Sequence, residues 1–380
     1  MSFSENDLTN ENTFISLFAG IGGLDYGFLL KGWKPLYVNE FHTNTALSYE
    51  GIHNHVVDTT DIRDVIIDEL PDSKVIIGGP PCQSFSLVGK RLEDDPRGDL
   101  VHRFVEIVLR KKPEAFIMEN VPGILSSKID GRKLIEIIED KFEKAGYYVS
   151  RTKPIATDYG VPQLRKRVVL LGSLKSKPEL ISSNDFFKAM EWDKGAYSIS
   201  SKAAIGDLGD AVCKGELAKY SRIKPSLFAT FMRKKNDKTI TLHELPRMSD
   251  TDKAYVKNIP PGGNYMNIPD DIATPRVLYF KKTGGRTTTY GRLHPDKPSY
   301  TINTAFRRPN VGSNFHYGYD RLITPREAMR FQSIPDNWNL IFGAQDERNT
   351  MIGNAVPPLL GLALQMSIEK SLDINNSTLK

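Results

Sequence analysis

The chain has 380 residues, 39% apolar and 26% charged, enough for a substantial core and more than one domain. No apolar run has the length of a membrane span, and the polar, acidic start Met1–Asn12 lacks the pattern of a secretory leader. The two cysteines, Cys82 and Cys213, make neither a disulfide framework nor a zinc site, so a reducing cytoplasm and no metal are expected. Net charge is only +5, yet residues 181–324 hold 23 Lys and Arg against 14 Asp and Glu, which points that segment toward a polyanion.

Thr13–Phe18 reads as a first buried strand, and Phe18-Ala19-Gly20-Ile21-Gly22-Gly23-Leu24 then opens a helix. Glycines there allow a tight bend that wraps a nucleoside, although a purely structural turn fits the run alone equally well. Leu36–Asn39 is the second strand. It ends at Glu40, where a carboxylate can accept both ribose hydroxyls, and Thr60-Asp61-Ile62 follows within reach of an adenine amine. Val75–Ile77 runs into Gly78-Gly79-Pro80-Pro81-Cys82-Gln83-Ser84. The glycines and prolines stop the ladder and stiffen the exit, leaving one thiol at the carboxyl edge where open α/β sheets hold ligands. A thiolate is a strong nucleophile once ionised; a small buried hydrophobe in a turn is the competing reading.

Val101, Phe104, Val105, Val108 and Leu109 recur at helical spacing, as do Leu134, Ile137, Ile138 and Phe142. Between them Ala115–Met118 forms a strand that ends at Glu119. Neighbouring parallel strand ends lie about 5 Å apart, so Cys82 and Glu119 can face one substrate, with Glu119 as a proton donor or as a plain salt-bridged carboxylate. Gln163-Leu164-Arg165-Lys166-Arg167 precedes a strand over Val168–Leu171. In an extended segment Arg165 and Arg167 share a face as forked donors for a carbonyl or phosphate, or as a solvated charge run. The alternation through residue 172 predicts an α/β fold with a parallel sheet covered on both faces.

From 173 to 324 the periodicity fades into loops and short strands. Order returns at Thr324-Pro325-Arg326-Glu327, a helix start with proline at its first position, and a last helix follows Val356-Pro357-Pro358 to about Ile368.

In this order the segments resemble the cytosine-C5 methyltransferases that act on DNA. The glycine turn is similar to the family's cofactor loop, Gly79–Ser84 to its nucleophile motif, Glu119-Asn120-Val121 to its acid motif and Gln163–Arg167 to its arginine motif. Arg326-Glu327 with Arg330-Phe331-Gln332-Ser333-Ile334-Pro335 resembles the brace of the recognition region, and Gly353-Asn354-Ala355-Val356-Pro357-Pro358 the closing motif. The resemblance implies a Rossmann-like class I S-adenosylmethionine-dependent methyltransferase sheet with a second, smaller, irregular target recognition domain. The catalytic domain would be 1–172 plus 325–380, and the recognition domain 173–324.

It further implies Cys82 as nucleophile, Glu119 on the N3 edge, Arg165 on the ring carbonyl and Arg167 beside it. S-adenosyl-L-methionine would meet Phe18, Gly20, Gly22, Gly23, Leu24, Glu40, Asp61, Ile62, Pro80, Leu100, Asn354 and Ala355. Ser84–Gly98, with Lys90, Arg91 and Arg97, resembles the loop that closes over a flipped base. Arg233-Lys234-Lys235, Lys281-Lys282, Arg286, Arg292 and Arg307-Arg308 are candidate contacts to double-stranded DNA. A monomeric cytoplasmic enzyme, paired with a restriction endonuclease and apart from membranes, is the expectation. An RNA-directed relative and a non-catalytic DNA-binding regulator on the same fold are the alternatives.

Overall fold

The structure is a computed structural model that describes residues 12–81, 98–233 and 238–374. Cys82, the loop residues Lys90, Arg91 and Arg97, and Lys234 and Lys235 lie outside the described residues. Two compact units divide the chain: 1–155, 166–190 and 358–380 form one, and 156–165 with 191–357 the other.

The first unit is built on six strands: β1 (Thr13–Leu17), β2 (Lys34–Asn39), β3 (Val75–Gly78), β4 (Ala115–Asn120), β5 (Tyr148–Thr152) and β6 (Val168–Ser173), in the order β2-β1-β3-β4-β6-β5. β1, β2, β3 and β4 are parallel, whereas β6 is antiparallel to both β4 and β5. The expected all-parallel sheet is therefore corrected at one side. β5 escaped the sequence reading because, as a half-exposed edge strand, Tyr148-Val149-Ser150-Arg151-Thr152 has no buried apolar run.

One sheet face is covered by α3 (Gly98–Lys111) and α4 (Leu134–Lys144). Phe104, Val105, Val108, Leu134, Ile138 and Phe142 join Ile15, Ile76, Phe116 and Leu170 there in one core. On the other side α1 (Tyr26–Leu30) packs on the C-terminal helix Pro358–Ser371. A Cβ on Gly27 would lie 2.5 Å from Leu362 Cα, so glycine permits this helix contact. Trp33 Nε1 donates to Glu369 at 2.9 Å and anchors the same helix. Gln345–Ser371 is long and apolar enough to cross a membrane, but it is mostly buried inside the protein and broken at Pro357. α2 (Thr43–His53) follows β2.

The second unit has short helices where loops and short strands were expected: α6 (Ser201–Ile205), α7 (Leu227–Met232), α8 (Asp250–Asn258) and α9 (Pro275–Thr283), after α5 (Ser183–Ala189) of the first unit. Ser182, Ser200, Ser226 and Ser249 each cap one of them by accepting a backbone N–H three residues on. Tyr255, Val256, Ile259, Tyr265, Val277, Phe315 and Leu322 form its core.

α10 (Pro325–Phe331) starts as expected, with a capping box. Thr324 Oγ1 accepts from Glu327 N–H at 3.2 Å, and Glu327 Oε2 accepts from Thr324 N–H at 2.8 Å. α11 (Gln345–Asn354) follows. By contacts, 173–190 belong with the sheet and 325–357 with the irregular unit, boundaries that differ from those the resemblance implies.

Candidate functional site

The carboxyl ends of β1, β2, β3 and β4 share one edge of the sheet, and an antiparallel β6 begins at that same edge. Phe18 leaves β1 with φ +55°, the left-handed region that non-glycine residues rarely enter. Ala19 N–H donates to Asn39 O at 3.0 Å, which ties this turn to the end of β2. Gly20 also has positive φ, with open space where a side chain would project, and its N–H donates to Glu40 Oε2 at 3.0 Å. Glu40 Oε1 accepts from His42 N–H at 2.9 Å. Both carboxylate oxygens are thus fixed by backbone donors, and each retains a lone pair for a ribose hydroxyl.

Phe18, Ile62 and Leu100 meet in one apolar cluster; Ile62 is buried and the other two partly exposed. Asp61 is held below the usual carboxylate range by hydrogen bonding to Arg63, so it stands beside Ile62 as an ionised acceptor. Leu24 is buried and its Cα lies close to Gly361, as does the carbonyl of Gly23. These two anchor the turn to the C-terminal helix. Phe41 was passed over in the sequence. It is 57% exposed directly after Glu40, with its ring against His42, a flat apolar surface of the kind a purine stacks on.

At the end of β3, Asn120 Nδ2 donates to Pro80 O at 2.9 Å and fixes the strand exit that leads to Cys82. Glu119 is nearly buried, and a Cβ on Gly79 would lie 3.2 Å from its Oε2, so glycine leaves room for the carboxyl group. Arg167 Nε lies 2.7 Å from Glu119 Oε1. The sheet direction explains the meeting. In the antiparallel ladder Asn120 faces Val168, so the residue before β6 arrives beside the last residues of β4. Run parallel, the six residues of β6 would carry Arg167 about 20 Å away.

Arg165 does something else. It is 1% exposed, and its guanidinium donates to Ile302 O at 3.1 Å and Gly353 O at 3.0 Å. Those bonds brace the second unit's backbone, whereas the arginine paired with Glu119 is Arg167. Asn354 ends α11 immediately after the carbonyl Arg165 holds, and Ala355 behind it is buried.

A family model described as C-5 cytosine-specific DNA methylase matches residues 12–370. The chain belongs to this family. It is 32% identical over 367 residues to Type II methyltransferase M.NgoFVII of Neisseria gonorrhoeae, covering 96% of this chain and 88% of that one. It is 33% identical to M.DdeI of Desulfomicrobium norvegicum over 92% of this chain and 86% of the relative. The crystal structure of S. pombe Dnmt2 methyltransferase shares the fold at TM-score 0.63 and 16% identity, over 96% of this chain and all of that one.

The protein is a DNA cytosine-5 methyltransferase with S-adenosyl-L-methionine as cofactor, on a class I methyltransferase sheet. The turn at Gly20, the doubly fixed Glu40 and the apolar group of Phe18, Ile62 and Leu100 lie along the first part of this edge. A Glu40→Gln methyltransferase is expected to bind S-adenosyl-L-methionine about tenfold or more weakly by calorimetry, since charge-assisted hydrogen bonds are lost.

Among the basic residues of the methyltransferase's second unit, several are already engaged. Arg233 pairs with Asp207 and stacks on Tyr220 at 3.9 Å. Arg292 is spent on Val256 O, Ile259 O, His316 O and Asp320, with a side chain 9% exposed, and so ties these framework segments together. Lys281 pairs with Asp270 and Arg307 with Asp346. Lys282, Arg286 and Arg308 are exposed and make no ion pair among the described residues.

Proposed function

We propose that this methyltransferase modifies carbon 5 of a cytosine extruded from a specific double-stranded DNA sequence, through a covalent adduct to Cys82. The observation that carries the reading is the Glu119–Arg167 pair beside the Gly79-Pro80 exit, one short step along the chain from Cys82. When bound, S-adenosyl-L-methionine supplies an electrophilic methyl group on a sulfonium.

In this scheme the Cys82 thiolate adds to carbon 6 of the ring. Glu119 bonds the N3 edge and the exocyclic amine, and Arg167 donates to the ring carbonyl while keeping the Glu119 carboxyl aimed. Electron density released at carbon 5 takes the methyl group. Loss of the carbon 5 proton and departure of Cys82 then restore the aromatic ring and the enzyme. Carbon 6 is shielded in a stacked duplex, so the base is flipped out at a cost of a few kcal/mol.

Phosphate contacts offset that cost, and 173–324 supply them together with sequence readout. Lys282, Arg286 and Arg308 are the first residues to test there. Asn354 and Ala355 join the cofactor set by resemblance alone. The relatives named Type II methyltransferases support a role in protecting bacterial DNA in the cytoplasm against a paired endonuclease. One base per event suits a monomer.

Bisulfite sequencing of DNA from cells expressing the protein should reveal 5-methylcytosine at one recurring sequence. Equal labelling of transfer RNA and duplex DNA would overturn the DNA-specific reading. Arg167→Lys should lower kcat by about 10²–10³ with the cofactor KM unchanged, as expected for losing a donor aimed at developing charge.

A further inference from the structure

We propose that Tyr49 and His53 of α2 are positioning residues that clamp the glycine turn from behind and thereby set the affinity for S-adenosyl-L-methionine. The proposal rests on that cofactor binding at the turn. The two residues are four positions apart on a helix and so share a face. Their rings lie 4.4 Å apart and pack on the turn at Gly22. A Cβ there would come within 2.2 Å of His53 Nε2 and 2.9 Å of Tyr49, and Gly22 has φ +82°, so glycine is required twice over.

His53 also makes a polar bond to the turn, and Tyr49 one to Asp25 at the start of the helix that the turn opens. His53 Nε2 lies 3.0 Å from Ile21 O, which makes it the protonated nitrogen of the imidazole. Burial lowers the His53 pKa to about 4, so the ring is neutral at pH 7. Tyr49 OH donates to Asp25 Oδ2 at 2.8 Å, and Ser16 Oγ donates to Asp25 Oδ1 at 3.0 Å. Asp25 is fully buried at the start of α1, so the network joins β1, α1 and α2 beneath the turn.

Glu40 holds the other end of the turn through Gly20 N–H. The backbone between is therefore fixed from both directions, by the carboxylate assigned to the ribose and by the Tyr49–His53 pair behind the turn. A turn held in its binding shape spends no affinity on ordering itself.

Tyr49→Phe and His53→Phe keep the ring packing on Gly22 and remove one bond each. Each full-length variant is expected to raise both the Kd by calorimetry and the KM for S-adenosyl-L-methionine about three- to tenfold. Saturating kcat and the KM for DNA should stay within about twofold. His53→Gln, which retains an N–H donor, should recover affinity. Variants that lose thermal stability while their cofactor Kd and KM match the wild type would assign the pair to folding alone and overturn the clamp; if one variant does not fold, the other decides. Wild-type protein that binds no S-adenosyl-L-methionine would overturn the cofactor assignment, and the clamp with it.

Discussion

Replacing Cys82 by serine is expected to lower kcat for DNA methylation by on the order of 10⁴–10⁶, with cofactor affinity unchanged. A serine hydroxyl at neutral pH is almost wholly protonated and adds poorly to an electron-poor ring, whereas a few per cent of an ordinary thiol is already thiolate. Glu119→Gln should approach the same loss by another route. The amide cannot pass a proton at N3, and Arg167 then faces a neutral partner where it had a carboxylate at 2.7 Å. If both act on one ring, the double variant is scarcely slower than Cys82→Ser, the non-additivity of groups that work as a unit. Single-turnover assays with labelled S-adenosyl-L-methionine on duplex DNA measure this directly. Cys82→Ser protein with near-wild-type turnover would rule out the covalent route.

The strand ends bearing this chemistry were legible because each is a short apolar run followed by a local change of residue type: a glycine-rich turn after Phe18, two prolines after Gly79, a polar Glu119-Asn120 pair after Met118. The assignment of Arg165 and Arg167 was not legible. Two arginines on alternate positions look equivalent in sequence, and what separates them is the direction of β6 and the carbonyls of Ile302 and Gly353, both more than 130 residues away. The place of Arg292 was not legible for a related reason, since its partners Val256, Ile259 and His316 come from distant segments. Three helices of the second unit, α6, α7 and α8, begin at serine caps, but each is under ten residues and too short for apolar periodicity to register. Thr324-Pro325-Arg326-Glu327 was readable because proline at the first helical position is a purely local signal, and the structure adds a capping box there.

Loss of Arg330 is expected to be the most damaging change away from the catalytic edge. Its Nε and Nη2 donate to the two oxygens of Asp336, both at 2.6 Å, and its Nη1 to Ala204 O at 2.9 Å. Contacts of 3.2 and 3.3 Å to Asp207 complete the fork, and the side chain is fully buried. Burial works to raise the Asp336 pKa, but Arg330, then Arg326 and the Tyr220 hydroxyl, hold it below the ordinary carboxylate value. In the native protein that stability is present above the unfolded pKa and is lost as pH falls through the folded one.

Arg330→Met reverses the sign at this site. With its main partner gone, burial wins and lifts the Asp336 pKa, so the variant loses stability as pH rises from the unfolded value through the raised one. At neutral pH the cost should be about 3–5 kcal/mol, the range for leaving a buried charge unpaired. Adding Asp336→Asn should return part of it, because the stranded charge is removed. Urea unfolding followed by tryptophan fluorescence, run from pH 5 to pH 8 on the wild type and both variants, reads these slopes. A single variant within about 1 kcal/mol of the wild type across that range would show that the arginine is not what holds α10 to Asp207 and Asp336.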